Sequence, residues 1–140
     1  MWSGVIIHHS GVPDTPGTDT LNYRRYHMQA RGWQDIGYHV VIEQVDGEYL
    51  GIMGRRLNLA GSHCRGLNST NLGVCFSGDF TQHKPSWEQL DMGARVVAGL
   101  CDSFGIPTDN ITTHRDHDTT ACPGEFPLDV FKGMVEEHRR

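Results

Sequence analysis

The sequence predicts a single α/β domain in which helices flank a central mixed β-sheet. Its 140 residues are the size of one ordinary domain. Short apolar runs alternate with helical patterns, which favours a layered α/β structure. No repeat, low-complexity tract or linker divides the chain. We therefore expect one domain over residues 1–140, with one core and one site.

The first strand and the first helix are predicted near the amino terminus. Gly4 to Ile7 reads as a buried strand, with His8 and His9 at its carboxyl end, where open α/β sheets usually bind ligands. A helix is predicted from Asp19 to Arg31. One face of it carries residues at the helical spacing, namely Tyr23, Tyr26, His27 and Ala30. We expect this face to lie on the sheet, with His27 buried and hydrogen-bonded.

A hairpin and a further strand are predicted in the middle of the chain. Tyr38 to Ile42 is β-branched and aromatic, and Asp46-Gly47 is a turn pair, so Glu48 to Ile52 is the expected return strand. A polar loop from Gly54 to Asn71 then leads into an inner strand, Leu72 to Phe76. A loop of this length on a compact domain is more often functional than not.

The clearest helical pattern runs from Ser86 to Phe104. Ser86 is a predicted N-cap with Gln89 three residues later, and Gly105 and Pro107 end the helix. Its predicted apolar face consists of Trp87, Leu90, Ala94, Val97, Cys101 and Phe104. This helix should cover the core.

The carboxyl-terminal part combines a short strand, a loop and a helix. Ile111 to Thr113 is predicted as a brief strand that delivers His114. Cys122 follows on a loop, beside the turn-forming pair Pro123-Gly124. A last helix is predicted from Pro127 to about His138.

Composition argues against several classes of function. The net charge of −5 provides no basic field for nucleic acid. No apolar run approaches the ~18 residues that span a bilayer, so membrane insertion is not expected. The amino terminus lacks the basic start of a signal peptide, and we expect a cytoplasmic protein that acts at the periplasm or cell wall only after release. The four cysteines are therefore expected to be free thiols.

Three residues form a candidate metal site. Catalytic zinc sites keep three protein ligands and favour imidazole and thiolate, which His8, His114 and Cys122 would supply. The spacing alone is weak, because nine histidines and four cysteines offer many other triples. A nucleophilic Cys122–His114 pair is the alternative, but it leaves His8 without a role.

Four separated motifs strengthen the metal hypothesis. They are Ile6-Ile7-His8-His9-Ser10, then His27 with Arg31 to His39, then Gly61-Ser62-His63 with Asn68 and Gly73-Val74, and finally His114-Arg115-Asp116 with Ala121 to Gly124. Their order and spacing resemble those of zinc-dependent N-acetylmuramoyl-L-alanine amidases. This is the superfamily of the peptidoglycan recognition proteins and the phage amidases called lysozymes, and the resemblance covers nearly the whole chain.

The resemblance implies a set of site residues. One Zn²⁺ ion would be bound by His8, His114 and Cys122 at the strand ends, in a surface groove. Tyr38 and Thr120 would be catalytic, as hydroxyl donors to the oxyanion that forms at the attacked carbonyl. Some phage members have lysine in place of Thr120, which leaves its role open.

Further expectations concern other residues in and near these motifs. His63 and Asn68 are expected to bind substrate, and His63 or Tyr38 could deliver a proton to the leaving amine. Asp116 and Asp118 are expected to orient a ligand or cap the loop. Cys75 and Cys101 are expected in the core, whereas Cys64 is expected to be an exposed, reactive thiol. The remaining histidines are expected at the surface or behind the ligands: His9, His83, His117 and His138.

The implied activity is hydrolysis of the amide bond between N-acetylmuramic acid and L-alanine in peptidoglycan. We expect a monomeric phage-type lytic enzyme formed by a single catalytic domain, with peptidoglycan or muropeptide as substrate. One alternative is a recognition module that binds muropeptide without cleavage, although Cys122 favours the enzyme. The other is an amidase that also inhibits a phage RNA polymerase, as some phage amidases do.

Overall fold

A five-stranded mixed sheet forms the centre of the computed structural model, which describes residues 1–140. The strands are β1 (Gly4–His9), β2 (Val40–Val45), β3 (Glu48–Met53), β4 (Asn71–Phe76) and β5 (Ile111–Thr113). They lie in the order β3-β2-β4-β1-β5. β1 is parallel to β4 and β5, β2 is parallel to β4, and β3 is antiparallel to β2. The predicted α/β fold class is confirmed.

The β2–β3 hairpin turns at the predicted pair. Asp46 and Gly47 both have positive φ, at 51° and 82°, as a two-residue turn between right-twisted strands requires. β2 begins at Val40 and not at the predicted Tyr38. Tyr38 therefore lies just before the strand.

Three helices accompany the sheet: α1 (Asp19–Gln29), α2 (Trp87–Phe104) and α3 (Leu128–His138). The Ser86 hydroxyl caps α2 by accepting from the Gln89 N–H at 3.1 Å, as predicted. The Gln89 side chain does not return to the cap. It donates to the carbonyls of Ile42 and Ser77, both at 3.0 Å, and so joins α2 to the sheet. None of the helices has the length and apolar character needed to cross a membrane.

The hydrophobic core lies on one face of the sheet, beneath α2 and α3. It is a cluster of 19 buried residues that includes Val74 and Phe76 of β4 and Phe131 of α3. The predicted apolar face of α2 is largely confirmed. Trp87 is an exception, because it stands in the first turn and remains 65% exposed.

The predicted packing of α1 is confirmed only in part. Tyr26 is 55% exposed, but Tyr23 packs against a small apolar cluster that includes Cys75 and donates to the Ser77 hydroxyl at 3.2 Å, so the predicted face meets the sheet only through Tyr23. The start of α1 is instead fixed by the buried Glu43 carboxylate, which accepts from the N–H groups of Asp19 and Thr20 at 2.8 and 3.3 Å. The rest of the helix forms one wall of a cleft on the opposite side of the sheet from the core.

Candidate metal centre and its cleft

The carboxyl ends of β1 and β5 bring together the three candidate ligands. The donor atoms of His8, His114 and Cys122 all lie within 4.8 Å of one another. His8 Nδ1 is 3.8 Å from Cys122 Sγ, and the rings of His8 and His114 are 4.6 Å apart between centroids. Side chains alternate along β1, so His8 faces the cleft while His9 faces the other way.

The loop that carries Cys122 is anchored at several points. The His9 backbone N–H donates to Cys122 Sγ at 3.3 Å, and the Cys122 N–H donates to the Thr120 hydroxyl oxygen at 3.2 Å. Gly124 lies against the Phe80 backbone so closely that a Cβ would be 2.4 Å from the Phe80 carbonyl carbon. Gly124 also has a positive φ of 64°, so a larger residue at this position would force the loop or the Phe80 segment to shift.

His9, which was expected at the surface or behind the ligands, belongs to this anchor. Its side chain is only 7% exposed, and Nδ1 accepts from the Phe80 N–H at 3.0 Å. Of the two expected positions, the one behind the ligands is found, because β1 continues through His9 and places its side chain beneath the Phe80 segment.

His114 is positioned by the turn that follows β5. Thr113 and Asp116 form a capping box, in which the Asp116 carboxylate accepts from the Thr113 N–H at 2.8 Å and from its hydroxyl at 3.0 Å. Asp116 therefore caps the loop, one of its two expected roles. The Asp118 carboxylate is 3.7 Å from His114 Nε2, close enough to orient the ring by charge.

His63 occupies the floor of the cleft behind His8. Its Nδ1 is 2.9 Å from His8 Nε2, and its Nε2 is 2.9 Å from the Asn71 carbonyl oxygen. Neither ring nitrogen is therefore free to serve as a proton donor to a substrate. The Asn68 side-chain oxygen accepts from the N–H groups of His63 and Cys64 at 2.7 and 2.9 Å, so it shapes the loop that delivers His63.

Burial keeps these histidines neutral. Burial and the neighbouring histidines lower the pKa of His8 well below its ordinary value, and burial lowers the pKa of His63 to about 4. Burial also lowers the pKa of His114. A neutral imidazole has a nitrogen lone pair to offer, which is the form that binds metal ions.

The donor set fits a zinc ion. Burial raises the pKa of the Cys122 thiol to about 11, so without a nearby cation the thiol keeps its proton at neutral pH. A bound metal ion deprotonates a coordinating thiol. Two imidazoles and one thiolate, facing an open cleft, match the three-ligand arrangement of catalytic zinc sites.

Two hydroxyl groups border the candidate ligands. The Tyr38 ring lies 5.2 Å from the His8 ring, and burial together with Cys75 raises the pKa of Tyr38 well above its ordinary value. Its hydroxyl therefore remains a hydrogen-bond donor at neutral pH. The Thr120 hydroxyl oxygen accepts from the Cys122 N–H, which leaves the hydroxyl hydrogen able to donate into the cleft.

The cleft has a volume of about 1100 Å³ and an aromatic wall. The Arg31 guanidinium carbon lies 5.4 Å from the Trp33 ring centroid and 5.9 Å from the Tyr26 ring centroid. Sequence reasoning did not single out Arg31 and Trp33 as site residues. Their place in the second motif, two residues apart and close to Tyr38, was the available signal.

All four cysteines are free thiols, as expected. Cys75 and Cys101 are fully buried in the core regions. Cys64 is only 3% exposed, so the expectation of an exposed thiol was wrong. The Asn68 side-chain oxygen accepts from the Cys64 backbone N–H at 2.9 Å, which fixes this part of the loop.

The chain is similar to known proteins over nearly its whole length. A family model described as N-acetylmuramoyl-L-alanine amidase matches residues 1–125. The N-acetylmuramoyl-L-alanine amidase of Mus musculus is 34% identical over 137 residues, which cover 91% of this chain and 25% of that protein. Peptidoglycan-recognition protein LB of Drosophila melanogaster is 33% identical over 129 residues, which cover 86% of this chain and 53% of that protein.

The fold is also similar to that of a solved amidase structure. The endolysin N-acetylmuramoyl-L-alanine amidase LysCS of Clostridium intestinale superposes with a TM-score of 0.80 at 25% identity, covering 96% of this chain and 84% of that one. The chain thus spans about half or less of the two animal relatives but most of the bacterial structure.

Proposed function

The chain belongs to the N-acetylmuramoyl-L-alanine amidase family, and we propose that it hydrolyses the amide bond between N-acetylmuramic acid and L-alanine in peptidoglycan. One observation carries the proposal: His8, His114 and Cys122 converge at the floor of an open cleft. At about 1100 Å³ the cleft exceeds the size of most small-molecule pockets and suits a glycopeptide.

We further propose that these three residues hold one Zn²⁺ ion. Nδ1 of His8 faces Cys122 Sγ, whereas Nε2 of His8 is occupied by His63, so Nδ1 is the available donor. A zinc ion held there would polarise a carbonyl oxygen and lower the pKa of bound water toward neutrality.

The chain's own hydroxyl groups act on the substrate carbonyl in this mechanism. Negative charge develops on the carbonyl oxygen during hydrolysis, and a preorganised donor stabilises it more than it stabilises the starting amide. Tyr38 and Thr120, whose side chains lie beside the three candidate ligands, are the donors that we propose for this role. Beside these groups, Arg31 would offer a positive charge to the stem peptide and the adjacent Trp33 ring would offer an aromatic surface.

We propose a lytic role at the cell wall, in line with the endolysin to which the chain is similar. A single catalytic domain over residues 1–140, the monomeric state and an RNA polymerase partner remain predictions from the sequence. Cleavage of peptidoglycan can be tested independently of all three.

Mass spectrometry of a defined muropeptide tests the proposal. The purified protein should release a peptide with a free L-alanine amino terminus, lose this activity after complete chelation, and regain it when Zn²⁺ is restored. Binding without cleavage would identify a recognition module. Cleavage that survives complete metal removal would contradict the zinc assignment.

A further inference from the structure

A chain of hydrogen bonds runs from the backbone of β4 to the candidate metal centre. The Asn71 carbonyl oxygen can only accept, so His63 Nε2, at 2.9 Å, must carry the proton of that bond. In a neutral imidazole the other nitrogen is then a bare acceptor. His63 Nδ1 thus accepts from His8 Nε2–H at 2.9 Å.

This order fixes the proton on His8. With its proton on Nε2, His8 presents an unprotonated Nδ1 toward Cys122 Sγ at 3.8 Å. Both rings are at least nine-tenths buried, and no carboxylate contacts either nitrogen of His63 to favour a charged form. The two imidazoles are therefore neutral, and the single fixed acceptor at Asn71 sets the direction of both bonds.

We propose that His63 is a positioning residue that selects the tautomer and the ring orientation of His8, leaving Nδ1 ready to bind the metal ion. This inference rests on the proposed zinc site and replaces the earlier expectation that His63 binds substrate. Metal-binding histidines commonly donate their second N–H to a partner of this kind, and such partners orient the ring.

The surroundings of His63 are shaped to hold its ring in this place. A Cβ on Gly73 would lie 2.6 Å from two ring atoms of His63, and a Cβ on Gly61 would lie 2.6 Å from one. Both glycines therefore leave space that the ring fills. Asn68 fixes the backbone of the same residue by accepting from its N–H.

His39 provides a matched comparison in the same region. It is fully buried, but its Nδ1 accepts from the Gly73 N–H at 3.0 Å and its Nε2 contacts the Leu59 carbonyl at 2.8 Å. Both of its ring nitrogens thus form hydrogen bonds with backbone groups. A change at His39 should affect stability without changing how His8 presents its lone pair.

Two substitutions at His63 separate its two hydrogen bonds. In His63→Asn the side-chain oxygen can take the place of Nδ1 and still accept from His8. In His63→Gln the amide group can take the place of Nε2 and still donate to Asn71, but the acceptor for His8 is lost. Zinc affinity, measured by competition with a chromogenic chelator, should fall about 10–100-fold in His63→Gln. In His63→Asn and His39→Gln it should stay within about threefold of wild type.

Imidazole ¹⁵N spectra of the metal-free wild type provide a second readout that needs no variant and no activity. Nδ1 of His8 should resonate as an unprotonated nitrogen and Nε2 as a protonated one. A proton on His8 Nδ1, or equal zinc affinities in His63→Gln and His63→Asn, would overturn the inference. Should His63→Gln fail to fold, the wild-type spectrum still decides. Muropeptide cleavage by the wild type is assayed separately, so failure of the amidase proposal is distinguishable.

Discussion

The two faces of the sheet carry different kinds of residue. On one face, 19 buried residues form a continuous core beneath α2 and α3. On the other, the buried apolar cluster has only three members, Ile36, Val41 and Cys75, and the remaining surface carries histidines and a cleft. Because side chains alternate along each strand, neighbouring residues belong to different faces. Stability and chemistry are therefore separated within the same strands.

The histidine pair at the end of β1 shows this separation on the smallest scale. His8 contacts His63 and faces Cys122 Sγ in the cleft. His9 accepts from the Phe80 N–H and lies 5.8 Å from the Phe80 ring. Its side chain anchors a loop, and only its backbone N–H reaches the thiol. Two adjacent residues of one type thus have different roles because they point in opposite directions.

The largest effect should follow from Cys122→Ser on the cleft face. Loss of one proposed zinc ligand should reduce amidase activity at least about 10³-fold, more than the typical cost of one oxyanion donor. Unfolding of the metal-free protein by urea should change little, because serine is similar in size and its hydroxyl oxygen can still accept from the His9 N–H. Cys101→Ala, in the core on the other face, is the control and should retain zinc and activity. Equal zinc retention in the two variants would contradict the ligand assignment.

Phe76→Ala tests the opposite face. Phe76 is fully buried and packs edge-on against Phe126 and Phe131 at centroid distances of 4.8 and 5.6 Å. Its removal should lower the free energy of unfolding by about 3–5 kcal/mol, as measured by urea denaturation. At low temperature, the fraction that stays folded should bind zinc with nearly wild-type affinity. Loss of zinc affinity in that folded fraction would show that the two faces are not independent.

Tyr38→Phe removes one hydroxyl group from the cleft face and leaves the ring in place. If Tyr38 donates to the oxyanion, kcat should fall about 10²–10³-fold with little change in KM.

Thr120→Val distinguishes the two proposed hydroxyl donors, because Thr120 also accepts from the Cys122 N–H. A drop in zinc affinity in Thr120→Val, but not in Tyr38→Phe, would indicate that Thr120 mainly shapes the loop.

The apolar face of the sheet was predictable from local sequence patterns. Val5, Ile7 and the face of α2 follow the strand and helix periods, and the Ser86 cap and the Asp46-Gly47 turn depend on neighbouring residues only. The cleft face was not predictable in this way. His8, His114 and Cys122 are distant in sequence, and only the four motifs of the resemblance selected them among nine histidines and four cysteines.

The predictions of burial on the cleft face were wrong in two places, α1 and the loop before β4, for a common physical reason. In α1, the spacing of Tyr23, Tyr26 and His27 correctly marks one face of a helix, but periodicity does not reveal what covers that face. Here it borders a cleft and remains partly exposed. The sequence similarly predicts an exposed Cys64 in the loop before β4, whereas Asn68 accepts from the backbone N–H groups of His63 and Cys64 and both residues are buried. Hydrogen bonds of this kind depend on the folded backbone and leave no periodic signal.

The smallest predicted effect is a loss of folding stability at low pH that depends on His27. His27 lies on the cleft wall, where its Nδ1 accepts from the Gly37 N–H at 2.9 Å. Burial, together with the charges of Arg31 and Arg55, lowers its pKa to about 4 from the ordinary value of 6.5. Between pH 6.5 and 4 the unfolded chain therefore binds a proton that the folded protein does not, and stability falls as the pH is lowered through this range.

His27→Asn isolates this contribution, because an asparagine side-chain oxygen can still accept from Gly37 but does not titrate. Urea unfolding of the metal-free proteins at pH 7 and pH 4 should show a loss of stability that is smaller in the variant, by about 1 kcal/mol after allowing for partial solvent screening. The difference should vanish above pH 7, where both states of the wild type are unprotonated. An equal loss in the two proteins would mean that His27 titrates normally and that the acid sensitivity of the cleft face comes from its other histidines.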